Sequence, residues 1–176
     1  EEEVEVDNQC VSVLVPLIDD AMWERIRQSP TAQFHARQKS QGDAKSNENN
    51  HPVLECNWVV THNGIIFNDA ELWATLGKKE TRLGKVDSSA INLVLGVGSP
   101  VEADELGRLG LLTGSVAFAG WNLNTPHRLV LGRRDGPDLY LVRAGDLLFW
   151  SSDRETAKEL GSSSLVGIPF TTGAVL

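Results

Sequence analysis

The sequence predicts an α+β fold, because its helical and strand-forming segments are grouped along the chain. Helical patterns fall between residues 69 and 112, and four strand-like runs follow between residues 114 and 152. Helices and strands grouped in this way form separate layers, whereas alternating βαβ units would build a parallel sheet. A chain of 176 residues is long enough for one domain with a sizeable core. We therefore expect helices and sheets in layers within a single domain over residues 1–176.

The N-terminal part is predicted to contain a strand, a helix and a long loop. Residues 10–17, CVSVLVPL, are strand formers ended by Pro16. Residues 19–28, DDAMWERIRQ, open with two carboxylates, which favour the N-terminus of a helix. A short strand-like run, TAQFHARQ, leads into residues 39–52, where polar and turn-forming residues predict a loop. A long ordered loop in a compact domain is more often functional than idle.

The remaining elements follow from helix caps and from turn residues between apolar runs. Helices are expected in DAELWATLG, closed by Gly77, in VDSSAINLVLGVG, capped by Asp87 or Ser88, and in VEADELGRLGLL. Strands are expected in GSVAFAGWNL, HRLVLGRR, DLYLVRAG and DLLFWSSD, which Gly, Pro and Asn turns separate. A last helix, DRETAKELG, starts near Asp153 and precedes a β-like tail.

An Asn-Gly pair lies between two runs of strand formers in NWVVTHNGIIFND, residues 57–69. Asn63 and Gly64 both accept the positive φ of a tight turn, so the pattern predicts a two-residue β-hairpin. The same residues offer a side-chain amide and a backbone N–H that could donate to a substrate atom. These thirteen residues favour the turn and leave the donor role open.

Composition and charge argue against several classes of protein. The net charge of −8 and a pI near 5.0 argue against a nucleic-acid surface, and no apolar run approaches the ~20 residues of a membrane span. Two cysteines, Cys10 and Cys56, make no disulfide framework, so we expect reduced thiols in a cytoplasmic protein. The spacings of His35, His51 and His62 relative to Cys56 fit no common ligand pattern. We therefore expect neither a metal nor a cofactor.

Four polar clusters follow one another along the chain: HARQKSQG at 35–42, NENNHP at 47–52, HNG at 62–64 and VDSS at 86–89. Their order and spacing resemble those of the class II glutamine amidotransferases. In that family His-Thr-Arg-x-x-Thr-x-Gly, Asn-x-His-Pro, His-Asn-Gly-x-Ile-x-Asn and an Asp-Ser or Asp-Thr pair occur in this order. The later runs GSVAFAGWN, RLVLGRRDGPDLYLV and LLFWSSD also look like the family's closing strands. The resemblance extends from about Thr31 to the C-terminus.

This resemblance implies a fold and a reaction. The family fold is the four-layer αββα sandwich of the N-terminal-nucleophile hydrolases, built on two antiparallel sheets. The family reaction hydrolyses the side-chain amide of glutamine to glutamate and ammonia. Acyl transfer of this kind needs a nucleophile, a base, an oxyanion hole and anchors for the substrate. The implied ligand is therefore glutamine or a similar amino acid.

The resemblance also assigns roles to residues of this sequence. Asn63 and Gly64 match the pair whose side-chain amide and backbone N–H hold the oxyanion. Arg37 matches the arginine that grips the substrate carboxylate; without its neighbours it would be read as a surface arginine. Asp87 matches the carboxylate that receives the glutamine ammonium, although aspartate also favours a helix N-cap. Three further residues fall at substrate-binding positions: Gln38, Ser40 and Ser88.

The sequence departs from the family at the nucleophile. The family nucleophile is an N-terminal cysteine, usually followed by Gly-Ile, and its free α-amino group acts as base. This sequence begins with Glu1, and the 34 residues before His35 are too few for the first hairpin and helical stretch of the family. Gln38 also stands where the family has an aromatic residue, and Ala36 replaces Thr.

Three interpretations of this departure remain open. A companion N-terminal segment or partner protein carries the nucleophile; Cys10 becomes the nucleophile after removal of nine residues; or a degenerate relative keeps the fold for binding or assembly. Cys10 and Cys56 each carry a peptide bond on their nitrogen, so neither has the free amine that would act as base. We therefore expect the 176-residue chain alone to have no glutaminase activity. The alternative function is a catalytically silent amidotransferase-like module with a structural or protein-binding role.

Overall fold

The structure of the chain is a computed structural model. It describes residues 19–35, 42–43, 45–77, 81–97, 107–126, 128–161, 165–167 and 173–175. Four predicted site residues lie outside these stretches: Cys10, Arg37, Gln38 and Ser40. The strand predicted over residues 10–17 lies outside them as well.

The chain divides into two compact units, residues 1–38 and 39–176, which are described separately. In the first unit, helix α1 spans Asp20–Gln28, as predicted. Asp19 caps it, because its carboxylate accepts a 2.7 Å hydrogen bond from the Met22 N–H. Residues 31–35 form no regular secondary structure, so the strand predicted there is wrong over its described part.

The second unit contains eight strands and three helices within its described residues. The strands are β1 (Val53–Glu55), β2 (Trp58–Ile66), β3 (Gly114–Asn122), β4 (Leu129–Arg134), β5 (Tyr140–Ala144), β6 (Leu147–Ser151), β7 (Leu165–Gly167) and β8 (Gly173–Val175). The helices are α2 (Asp69–Thr75), α3 (Ser89–Gly96) and α4 (Arg154–Gly161). Two single 3₁₀ turns, Asn47–Asn49 and Leu109–Leu111, complete the set. No helix in the described part of the chain is long and apolar enough to cross a membrane.

Both sheets are antiparallel. One has five strands in the order β1-β2-β3-β4-β8, and the other has three in the order β6-β5-β7. The strands predicted after residue 114, the last helix and the β-like tail are all present. The predicted helix VEADELGRLGLL is confirmed at residues 107–108, which are α-helical, whereas residues 109–111 form a 3₁₀ turn and residues 101–106 lie outside the described stretches.

Two apolar clusters define four layers. The first lies between the five-stranded sheet and helices α2 and α3, and it includes Val116 and Phe118 of β3 together with Ile91 of α3. The second joins the other face of β3 and β4 to the three-stranded sheet, where Trp121 and Trp150 meet edge to face. Helix α4 packs on β5 and β6. The predicted αββα sandwich of two antiparallel sheets is therefore confirmed.

The hairpin predicted at Asn63-Gly64 is wrong. Strand β2 runs without a break through both residues, and Asn63 pairs with Ala117 while Gly64 pairs with Val116. The tight turn lies seven residues earlier, where Cys56 and Asn57 join β1 to β2 with φ of 51° and 61°. Positive φ at both central residues matches a type I′ turn. Pairing with a nine-residue partner strand thus overrides the local turn preference of Asn-Gly.

Candidate functional site

Strand β2 presents Asn63 and Gly64 near its C-terminal end. Strand β1 pairs with β2 only as far as Val60, so this part of β2 pairs with β3 alone among the strands described. Asn63 lies opposite Ala117, a residue of the cluster between the sheets. The Asn63 side chain is exposed, and no described residue forms a hydrogen bond with it. Its amide is thus available to donate to a ligand.

Gly64 has a conformational reason to be glycine. Its φ is +135°, and a Cβ built on it would lie 2.0 Å from the backbone oxygen of Ser115. No side chain fits so close to a carbonyl, and L-residues avoid this φ. The strand pairing therefore accounts for Gly64 whether or not its N–H binds a substrate.

Asp87 reaches the same strand from the start of helix α3. Its Oδ2 accepts a 2.8 Å hydrogen bond from the Ile66 N–H, two residues beyond Gly64. Its other oxygen, Oδ1, has no hydrogen-bond partner among the described residues, although Asp87 is only 2% exposed. The N-cap position of α3 belongs to Ser88, whose hydroxyl makes no capping bond. The Asp87 side chain therefore hydrogen-bonds to the backbone of β2 and does not cap helix α3.

Ser88 is enclosed by two histidines. Its Oγ lies 2.8 Å from His51 Nε2 and 3.1 Å from His62 Nδ1, while His62 Nε2 lies 3.1 Å from the Ser115 carbonyl oxygen. A serine beside a histidine is the arrangement of a nucleophile and its base. Ser88 is 2% exposed, however, and both of its neighbours already occupy its hydroxyl. We assign it a positioning role.

The long polar loop is anchored beside this cluster. Asn49 Nδ2 donates to the Asp43 carbonyl at 2.9 Å, and Asn49 Oδ1 accepts from the Lys85 N–H at 2.7 Å. The loop is therefore tied to the segment that leads into Asp87.

Glu55 and Arg82 support the segment that precedes Asp87, and the sequence analysis missed both. Glu55 is buried, and its Oε1 accepts from the N–H groups of Leu83 and Gly84 at 2.6 and 2.9 Å. Arg82 forms a 2.7 Å ion pair with Asp69 and donates to the Val86 carbonyl. An acid at an inward-facing position of the short strand VLE was the available sequence signal.

Burial raises the pKa of the Glu55 carboxyl, while its bonds from Gly84 and Leu83 and the Arg82 charge act in the opposite direction. A carboxyl whose pKa is raised on folding stabilises the protein below its unfolded pKa of about 4.3 and loses that contribution as pH rises through the folded pKa. The contribution of Glu55 to stability is therefore smaller at neutral pH than at acid pH, and its Oε2 has no hydrogen-bond partner among the described residues.

We predict that Glu55→Gln leaves stability at pH 7 unchanged or higher, because the amide oxygen still accepts both N–H groups without a buried charge. Glu55→Ala should lose about 3 kcal/mol, since two backbone N–H groups become unsatisfied. Urea denaturation at pH 7 and pH 4.5 measures both variants. The advantage of Gln over Glu should shrink at the lower pH. Equal losses for Gln and Ala would contradict this account.

No group of three or more potential metal ligands occurs among the residues that the structure describes. Cys56 lies in the β1–β2 turn, half-buried and packed against the first core cluster. Its position inside the chain gives it no α-amino base.

Comparison with known proteins places these features in a fold. No family model matches the chain. The structure of glutamine phosphoribosylpyrophosphate amidotransferase from B. subtilis, complexed with ADP and GMP, superimposes with a TM-score of 0.61 at 17% identity, covering 75% of this chain and 30% of that one. A structure of the allosteric regulatory enzyme of purine biosynthesis gives 0.58 at 18% identity, covering 73% and 29%. The chain has the fold of the class II glutamine amidotransferases.

Sequence comparison gives relatives of a different name. A 7-cyano-7-deazaguanine synthase from Saccharolobus solfataricus is 33% identical over 129 residues, which are 72% of this chain and 26% of that protein. One from Sulfolobus acidocaldarius is 31% identical over 122 residues, which are 69% of this chain and 24% of that protein. The chain thus spans about a quarter of the length of these curated relatives.

Within the amidotransferase fold, the structure brings together part of the predicted site. Asp87 binds Ile66 and Ser88 binds His62, two residues of β2 that lie on either side of Asn63 and Gly64, although α3 begins more than twenty positions after Asn63. The predicted site roles of these residues stay predictions. So do those of Arg37, Gln38, Ser40 and Cys10, which the structure does not describe.

Proposed function

We propose that this chain is the glutaminase part of an amidotransferase, and that it hydrolyses the side-chain amide of glutamine when a nucleophile is supplied. The observation that carries the proposal is the hydrogen bond from the Ile66 N–H to Asp87, which ties Asp87 to β2 two residues beyond the Asn63-Gly64 pair. The amidotransferase fold makes this the expected place for the site.

The chemistry of the three residues suits the reaction. An exposed side-chain amide and a neighbouring backbone N–H are two neutral donors that can stabilise a tetrahedral oxyanion. Asp87 has one carboxylate oxygen fixed by Ile66 and another without a partner among the described residues. A buried carboxylate with a free oxygen attracts an ammonium group, such as the α-amino group of glutamine. The resemblance adds Arg37 as the ligand of the α-carboxylate, with Gln38, Ser40 and Ser88 nearby in the family pattern.

The nucleophile has two possible sources in this proposal. One is a companion segment with an N-terminal cysteine, and the other is Cys10 after cleavage before it. Both give the attacking thiol the free α-amino base that the reaction needs. The reaction takes place in the cytoplasm, the compartment that a chain with two reduced cysteines favours.

The relatives suggest an acceptor for the ammonia. By their name, the curated relatives make a compound that carries a cyano group, and the nitrogen of such a group must come from a nitrogen donor. Ammonia released by this chain would serve an acceptor reaction of that kind. A single amidotransferase-like domain over residues 1–176 is the arrangement that we expect to do so.

The first test measures ammonia release from glutamine in three preparations: the chain as given, the chain cleaved before Cys10, and the chain mixed with a companion segment that begins with Cys-Gly. We expect no release from the first and release from one of the other two. Release from the uncleaved chain that disappears in Cys10→Ala would contradict the assigned need for a free α-amine. No release in any preparation, with no glutamine binding by calorimetry, would favour a silent module, as Gln38 in place of an aromatic residue and Ala36 in place of Thr also do.

The second test is a substitution in the active preparation. Asn63→Ala should lower kcat by about 10²–10³-fold, because one of two oxyanion donors is removed. Stability should stay within about 0.5 kcal/mol, since the side chain is exposed. Asn124→Ala, an exposed asparagine in the turn after β3, is the matched control and should keep full activity. Equal kcat for Asn63→Ala and wild type would remove Asn63 from the site.

A further inference from the structure

Two histidines, a serine and a backbone carbonyl form a continuous hydrogen-bond chain beside Asn63. We call it the His–Ser relay: His51 Nε2 to Ser88 Oγ at 2.8 Å, Ser88 Oγ to His62 Nδ1 at 3.1 Å, and His62 Nε2 to the Ser115 carbonyl oxygen at 3.1 Å. His62 is 4% exposed and Ser88 is 2% exposed, so water does not compete for these bonds.

The Ser115 carbonyl at one end of the relay determines that a hydrogen lies on His62 Nε2. The Ser115 carbonyl can only accept, so His62 Nε2 carries a hydrogen. Nδ1 of neutral His62 is then an acceptor, and it receives the Ser88 hydroxyl hydrogen. The Ser88 oxygen is left to accept from the Nε2–H of His51. With neutral His62 in its Nε2–H tautomer, all three hydrogen bonds therefore form when His51 carries its hydrogen on Nε2.

The relay joins the parts that carry the proposed site. His62 directly precedes Asn63, and Ser88 directly follows Asp87. The carbonyl that accepts the hydrogen bond from His62 Nε2 belongs to Ser115, the residue whose backbone lies against Gly64. Asp87 itself binds the Ile66 N–H. A rearrangement at His62 would thus act on β2 and on the Asp87 turn together.

We propose that His62 is a positioning residue of the glutaminase site, and that it holds Asn63, Gly64 and Asp87 in place only as the neutral Nε2–H tautomer. The expected effect of His62 on glutamine binding and hydrolysis rests on the proposed function. The expected tautomer of His62 does not depend on it.

Protonation of His62 would reverse the relay. His62 Nδ1 would then donate toward Ser88 Oγ, and the Ser88 hydroxyl hydrogen would have to turn to His51 Nε2, which could accept it only without a hydrogen of its own. Two titratable groups face His62: Asp87 at the start of α3, and His51, whose ring lies 6.5 Å away edge to face. From β3 it faces uncharged Ser115 and Phe118.

The direction of the pH effect follows from burial. Burial lowers the pKa of His62, while the bond to the Ser115 carbonyl and the Asp87 charge oppose this. A histidine whose pKa is lowered on folding gives stability that is complete above its unfolded pKa of about 6.5 and is lost as pH falls toward the folded pKa. Glutamine binding and hydrolysis should therefore fail on the acid side, as His62 takes up a proton.

The activity-independent test uses ¹⁵N NMR of the whole chain, with His62→Gln to assign the signal. We expect the Nε2–H tautomer at pH 7, and we expect amide-exchange protection of Ile66 to fall as His62 titrates. Protection factors remove the ordinary pH dependence of exchange. A charged His62 or an Nδ1–H tautomer at pH 7, or Ile66 protection that does not follow His62, would overturn the proposal even if the chain never binds glutamine.

The second test uses the pH profile of glutamine binding or of kcat/KM in the active preparation. The acid limb is the part of the profile where binding or kcat/KM falls as pH decreases. Ser88→Ala removes the donor to His62 Nδ1, so this limb should move to higher pH by about one unit, which corresponds to the free energy of about one net hydrogen bond. Ser88→Thr keeps the hydroxyl and should restore the limb. A general structural defect would lower activity at all pH values without moving the limb. An unmoved limb in Ser88→Ala would overturn the proposal, whereas absence of glutamine binding in every protein would count against the proposed function alone.

Discussion

Replacing Gly64 with alanine should remove most of the stability of the second unit. The added Cβ would lie 2.0 Å from the Ser115 oxygen and 2.6 Å from its carbonyl carbon, and both atoms are backbone in a paired strand. The residue would also have to keep a φ of +135°. We expect a loss of more than about 3 kcal/mol, a large part of the 5–15 kcal/mol that stabilises a typical domain.

Two other glycines serve as controls that distinguish backbone strain from steric overlap of the added Cβ, with stability measured by urea denaturation. Gly145 has a φ of +62° with no atom near its would-be Cβ, so Gly145→Ala should cost only about 1–2 kcal/mol of backbone strain. Gly110 also has no atom within 4 Å and no positive φ, so Gly110→Ala should be nearly neutral. If Gly64→Ala proved as stable as Gly110→Ala, the close pairing of β2 with β3 would be wrong.

This result bears on how the oxyanion hole can be tested. Any side chain at position 64 disturbs the strand, so a loss of activity in Gly64→Ala would not report on its N–H. Asn63 is exposed and free of structural bonds to described residues, so its substitution isolates the donor role. The two members of one motif thus require different experiments.

Sequence reasoning succeeded where structure is determined locally. Alternation of apolar residues between Gly and Pro turns predicted strands β3 to β6. Asp153 correctly predicted the start of helix α4, where its carboxylate accepts a hydrogen bond from the Thr156 N–H. The order of the polar clusters predicted the fold. It also selected Asp87 and Asn63, which the structure brings to one strand.

The errors share one physical cause, which is dependence on distant pairing. Asn63-Gly64 has the local chemistry of a turn, but β3 lies about fifty positions away and extends the strand through it. Ser88 occupies the N-cap position of α3, as predicted, but its hydroxyl makes no capping bond and lies 2.8 Å from His51 Nε2, 37 positions earlier in the sequence. Glu55 likewise binds N–H groups almost thirty positions away. No local pattern carries such information.

We predict that the hydrogen bonds of Asn92 are the main polar contacts that hold helix α3 to the β1–β2 hairpin. It is fully buried, and its Nδ2 lies 2.8 Å from the Trp58 carbonyl oxygen, 3.0 Å from that of Val53 and 3.3 Å from that of Glu55. An amide has two N–H groups, so the two shorter bonds are the principal ones. They fix the hairpin whose turn holds Cys56 at a positive φ.

Asn92→Ala should therefore destabilise the chain by about 3 kcal/mol, because at least two buried carbonyls lose their donor and a small void is left. Asn92→Asp should cost more, since it would place a carboxylate against three carbonyl oxygens, and the Oδ1 of Asn92 already has no hydrogen-bond partner among the residues that the structure describes. Urea denaturation measures both, with Asn124→Ala as the exposed control that should change little. Because α3 also begins with the Asp87 turn, amide exchange at Ile66 should accelerate in Asn92→Ala as the hairpin loosens from the helix. A variant as stable as Asn124→Ala, with Ile66 still protected, would show that apolar packing alone holds β2 against α3.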